Sequence, residues 1–149
     1  MRKRGGETRA MENQDLIPVR VKQLVPTPNG FALFIGPEEK TFVIYLGRDV
    51  GAAILMFQQE VKKPRPLTHD LIVRIFSAFE IALERVVIND LRDNTYFAQL
   101  HLREENELGK KMVVIDARPS DCIALACRHE APIFVRRHVL DQAEDAGGV

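Results

Sequence analysis

The sequence predicts an α+β fold, a single domain in which a mixed or antiparallel sheet is covered by about three helices. Two kinds of segment lead there. Ile17, Val19 and Val21 alternate with Pro18, Arg20 and Lys22, the period of a half-buried strand. Val50, Ala53, Ile54, Phe57 and Val61 instead recur at three and four, the period of an amphipathic helix. A third observation fixes the arrangement of the first part. Three strand-like segments with short connections precede that helix, which makes an antiparallel meander.

The first strand ends at the turn-rich residues 26–30, where Pro26, Pro28, Asn29 and Gly30 should reverse the chain into Phe31–Ile35. Residues 36–40 make a second turn into the β-branched and aromatic run 41–46. The helix expected over about 49–61 is broken by Pro64 and Pro66. Thr68 is the expected N-cap of a second helix, 68–83, with Leu71, Ile72, Ile75, Phe76, Phe79 and Leu83 as its apolar face. A short strand at 85–88 follows, then a turn at Asp93–Asn94 and a strand at 95–102. After a polar hairpin loop at 104–109, Met112–Ile115 is apolar at consecutive positions, as in a strand covered on both faces. Pro119 suits the first position of a helix reaching about Arg128, and residues 131–135 form a last strand. Residues 40–48 resemble residues 110–118, and each is followed by a helix. A duplicated β-β-β-α unit, with the 68–83 helix between the halves, would explain the likeness, as would chance; the fold class does not depend on it.

Composition bounds the rest. The chain has 149 residues, 46% of them apolar, and 21 basic against 21 acidic side chains, which excludes a disordered protein and allows an unaided core. No apolar run is long enough to span a bilayer, and no apolar stretch follows the basic start, so no membrane partner or leader is expected and the location reads as cytoplasmic. Residues 1–15 and 141–149 are polar and lack periodicity, so they are expected as a flexible N-terminal arm and a flexible acidic tail around a domain at 16–140. Cys122 and Cys127 are spaced for neither a disulfide nor a metal pair.

Three segments together resemble one family. They are Lys63–Leu71, Asp93–Leu100 and Ile115–Ala126, with Ala131–Val135 downstream. In order and spacing they resemble the bifunctional nuclease family, and the likeness runs from about Val19 to Leu140. The resemblance implies a compact α+β domain, often a homodimer, that cleaves both DNA and RNA.

Phosphodiester hydrolysis needs an activated water, neutralised phosphate charge and commonly a divalent metal held by carboxylates. Two helix starts carry suitable groups. At the first, Asp116 and Asp121 are candidate ligands of Mg²⁺ or another divalent ion, and Arg118 is a bidentate phosphate clamp beside unpaired helix N–H groups. At the second, the helix dipole favours the neutral form of His69, which suits a general base. The expected catalytic set is thus His69, Asp116, Arg118 and Asp121 around one phosphate, which requires the two helix starts to lie close together. Lys62, Lys63 and Arg65 are the expected nucleic-acid contacts. His101, His129 and His138 lack metal-ligand spacing, and aromatic–basic interleaving of the RNA-recognition type is absent. The alternative function is a non-catalytic module that binds an anionic ligand or a protein partner at the same helix starts. Capping and solvated charge account structurally for Thr68, Asp70 and the Lys62–Arg65 loop.

Overall fold

A computed structural model describes residues 15–147. Seven strands form one mixed sheet: β1 (Leu16–Thr27), β2 (Gly30–Gly36), β3 (Phe42–Leu46), β4 (Ile81–Arg92), β5 (Thr95–Asn106), β6 (Gly109–Ala117) and β7 (Ile133–Arg136). Among the described residues four helices accompany them: α1 (Arg48–Gln58), α2 (Thr68–Ala78), α3 (Pro119–His129) and α4 (Arg137–Gln142). The strand order is β3-β2-β1-β7-β4-β5-β6. Each meander, β1-β2-β3 and β4-β5-β6, is antiparallel and is followed by a helix, α1 or α3, so the chain contains two β-β-β-α units. Strand β7 joins them, antiparallel to β1 and parallel to β4.

The strands follow from their sequences. In β3 the alternation turns Phe42, Ile44 and Leu46 inward and leaves Tyr45 outside. The β4–β5 hairpin closes through Asp93 and Asn94, both at positive φ (50° and 63°), the backbone of a tight turn matched to strand twist. Helix α3 lies in the centre of the core, with Cys122 to Ala126 all buried. Helix α1 packs against α3, and Gly51 lets it press on β2, since a Cβ there would collide with the Phe31 ring. Among the described residues no helix is long and apolar enough to cross a membrane.

Several boundaries differ from the sequence expectation. The 68–83 helix stops at Ala78, and Leu83 is a buried strand residue of β4. Neither glycine nor proline marks that stop; Glu80 takes the left-handed conformation (φ 58°) that glycine usually supplies after a helix. Glu60 and Glu130 do the same after α1 and α3, so all three helices end in a left-handed glutamate in place of glycine. Thr68 is not the cap of α2. Leu67 holds that position, and the Asp70 carboxylate accepts its N–H at 2.7 Å.

Two further differences concern surfaces. Met112–Ile115 is not covered on both faces: β6 is an edge strand, and Met112, Val114 and Ile115 are 42%, 53% and 42% exposed. The acidic segment from 141 does not hang loose within the described residues. Val139, Leu140 and Ala143 are buried by α4 and its exit, and the Ala146 N–H donates to Thr41 O at 2.7 Å while the Thr41 N–H donates to Asp145. Helix α4 is six residues long, too short for periodicity to reveal it. The expected N-terminal arm lies outside the described residues, apart from Asp15.

Candidate functional site

The starts of α2 and α3 meet. His69 Nε2 lies 3.1 Å from Asp121 Oδ1, and Arg118 Nε donates to Asp121 Oδ2 at 2.9 Å. Local sequence sets these positions: Pro119 begins α3, so Arg118 stands at its cap and Asp121 in its first turn. His69 is the second residue of α2 and is 6% exposed, with Phe57 of α1 edge-on to its ring at 6.4 Å. Three of the four expected catalytic residues are therefore joined through the Asp121 carboxylate. Burial alone would raise the pKa of Asp121, but hydrogen bonds and charge from Arg118 and His69 outweigh it and hold the carboxyl below its usual 3.8. Arg118 is largely exposed, and among the described residues only its Nε is engaged.

Asp116 is not part of this contact. It lies exposed at the end of β6, lining a cleft of about 840 Å³ that Arg118 and Ser120 also line. The shared metal site expected of Asp116 and Asp121 does not fit this arrangement. Both oxygens of Asp121 are already held by His69 and Arg118, and the described residues contain no group of three His, Cys, Asp or Glu side chains able to hold an ion. The cysteines do not supply ligands in their stead. Burial pushes Cys122 up to about 12, helped by the charges of Asp121 and Asp116, and Cys127 to about 11, so both remain thiols near neutrality.

A second set of contacts was not read from the sequence. Asp70, next to His69, is 3% exposed and accepts from Lys63 Nζ (3.0 Å), Arg128 Nε and the Leu67 N–H. Burial alone would raise this carboxyl; bonds from Arg128, Leu67 and Lys63 reverse the effect and bring it to about 2. Lys63 also sits 4.5 Å over the Phe57 ring. Its side chain is only 17% exposed, so it is a structural partner of Asp70 rather than a free phosphate contact. Lys62 and Arg65 remain exposed, and Arg65 and Arg74 line a second cleft of about 430 Å³. Arg128 lies 58 residues from Asp70, too distant for any local pattern to pair them.

The bifunctional nuclease domain matches residues 33–146, and the chain belongs to that family. Two relatives from Mycobacterium tuberculosis are 41% identical over 100 residues: the uncharacterized protein MT1877 of strain CDC 1551 / Oshkosh and the uncharacterized protein Rv1829 of strain ATCC 25618 / H37Rv. Each alignment takes in 67% of this chain and 57% of the relative, so the chain spans little more than half the length of the curated proteins it matches. His69, Asp70, Arg118, Asp121 and Arg128 all fall inside the family match.

The Asp70 cluster should be visible in stability. Asp70→Ala leaves Arg128 and Lys63 without their anion and should cost roughly 3 kcal/mol, as when one partner of a buried ion pair is removed. Because the folded carboxyl titrates below its unfolded value, its contribution is present above about pH 4 and is lost as pH falls towards 2. The wild type should therefore lose about 2 kcal/mol more than the variant between pH 4 and pH 2 in urea denaturation. Parallel pH dependences would show that Asp70 is not held as described.

Proposed function

We propose that this domain hydrolyses phosphodiester bonds in DNA and RNA, with Asp121, held between His69 and Arg118, at its centre. The observation that supports it most is this three-residue contact at two adjoining helix starts in a chain of the bifunctional nuclease domain family. Arg118 offers its exposed guanidinium to the phosphate oxygens, beside the unpaired N–H groups that open α3. Turning Arg118 towards a phosphate removes one of the two interactions that lower the proton affinity of Asp121 and adds a negative charge nearby. Asp121, 32% exposed, is then the more basic group and takes the proton of the attacking water or 2′-hydroxyl. The buried His69 positions the carboxylate, because its Nε2 either donates to it or accepts from its protonated form. Lys62 and Arg65 add sequence-independent contacts to neighbouring phosphates.

The burial of His69 favours a second reading, in which Arg118 and the α3 start bind an anion without turnover. Labelled DNA and RNA oligonucleotides separate the two. Asp121→Asn should lower the cleavage rate by roughly 10²–10⁴ while stability changes by less than about 1 kcal/mol. Binding with no cleavage by the wild-type protein would establish the second reading, and cleavage unaffected by the substitution would refute the first. In the same titrations, replacing Lys62 and Arg65 should reduce the slope of log K against log salt by up to about 0.9 per lost duplex contact; an unchanged slope refutes those contacts.

The partner reading has its own support. Edge strand β6 exposes Met112, Val114 and Ile115, and α2 with its C-cap exposes Leu71, Ile75 and Phe79 at spacings of four. Two copies pairing β6 antiparallel about a two-fold axis would cover the apolar side chains of that edge. Light scattering at low micromolar concentration should give about twice 16.9 kDa, and Val114→Lys should halve it. A mass near 16.9 kDa for the unaltered protein contradicts the homodimer.

A further inference from the structure

The larger cleft, about 840 Å³, is bordered by β3, the β4–β5 hairpin, the start of α3 and the segment after α4. We propose that it holds an unpaired nucleobase of a single-stranded nucleic acid whose adjoining phosphate lies against Arg118 and Ser120. The phosphate position rests on the hydrolase reading above; the base position rests on the cleft itself.

Size sets the first limit. The volume is that of a small-molecule pocket, roughly 300–1,000 Å³, and a duplex cannot enter it. The wall is the second observation. The alternation of β3 puts Tyr45 on the outer, cleft side, where it is 77% exposed, and its hydroxyl has no partner among the described residues. A large aromatic ring left open on a strand is a stacking surface that accepts any base. Tyr96, on the same cleft, is braced by Phe42 with ring centroids 5.4 Å apart.

Charge sorts the two parts of the ligand. Among the described residues Arg118 is the only Lys or Arg lining the cleft, whereas Asp116, Glu144 and Asp145 all line it. The Asp145 carboxylate is taken by the N–H groups of Thr41 and Gly147; Asp116 and Glu144 have no hydrogen-bond partner among the described residues. Carboxylates repel a polyanionic backbone but accept hydrogen bonds from an exocyclic amine, so the interior suits a base and Arg118 suits the phosphate. Ser120 completes that end. It is 9% exposed, stands in the first turn of α3 among unpaired N–H groups, lines the cleft, and its hydroxyl has no partner among the described residues.

Fluorescence anisotropy with labelled phosphorothioate oligonucleotides tests the proposal on the intact protein. The probes are single-stranded hexamers of dC, dA and dT and a hairpin duplex of six base pairs. The single strands of dC and dA, which carry exocyclic amines, should bind at least about tenfold more tightly than the hairpin. Tyr45→Ala should weaken them roughly 5- to 150-fold, the range for loss of one stacked base, without changing hairpin affinity, and Tyr45→Trp should restore binding. Asp116→Asn should weaken dC and dA more than dT. Because Tyr45 is exposed, the thermal midpoint of its variants should stay at the wild-type value. Wild-type affinity of Tyr45→Ala for single strands, or equal binding of hairpin and single strands, overturns the proposal. Equal binding of dT and dC removes the role given to the carboxylates. If cleavage depends on Asp121 but binding ignores Tyr45, the cleft proposal fails and the hydrolase reading stands. Tyr45-dependent binding with cleavage indifferent to Asp121 upholds the base position and refutes the hydrolase reading.

Discussion

Two adjacent residues fix the start of α2 on α3, and the arrangement of the site depends on them. His69 reaches Asp121 in the first turn of α3, and Asp70 reaches Arg128 near its end. Their Cα atoms are about 3.8 Å apart, while Asp121 and Arg128 are seven residues, roughly 10 Å, apart along the helix axis. Side chains diverging from one point to two separated anchors determine both the place and the direction of α2. Core packing of Val73, Ile72 and Phe76 holds the rest of α2. The last turn of α1 joins the same junction, because Phe57 touches the His69 ring and lies under Lys63.

The two anchors differ chemically. Asp70 is buried and satisfied by two cations and a backbone N–H, which holds it ionised and leaves it nothing further to do in the fold than anchor. Asp121 is a third exposed, and one of its two partners, Arg118, is largely exposed and so accessible to an incoming anion. One anchor therefore serves stability and the other can serve chemistry. Burial is what separates them, since both are carboxylates in the first turn of a helix.

Much of this was legible in the sequence, because it rests on local chemistry. The meander, the Asp93–Asn94 turn and Pro119 at the start of α3 follow from periodicity, turn residues and helix-start preferences, whereas the meeting of His69 with Asp121, 52 residues apart, was expected only from the groups a phosphate needs. What was not legible depends on distant partners or missing punctuation. Lys63 looks like a solvated cation until Asp70 and Phe57 are placed beside it. Arg128 looks like an ordinary basic residue at a helix end. The stop of α2 at Ala78 is carried by a left-handed glutamate, which no composition rule flags. The apolar run of β6 reads as buried because a sequence cannot say which strand forms the edge of a sheet.

The contact between His69 and Asp121 is the one that turns a helix junction into a site, and it can be measured without assuming any activity. A double-mutant cycle with His69→Ala, Asp121→Ala and the double variant, read by urea denaturation, reports their coupling directly. The geometry predicts a coupling of at least about 0.5 kcal/mol, with the two single substitutions together costing more than the double. Strict additivity of the two substitutions would contradict the account.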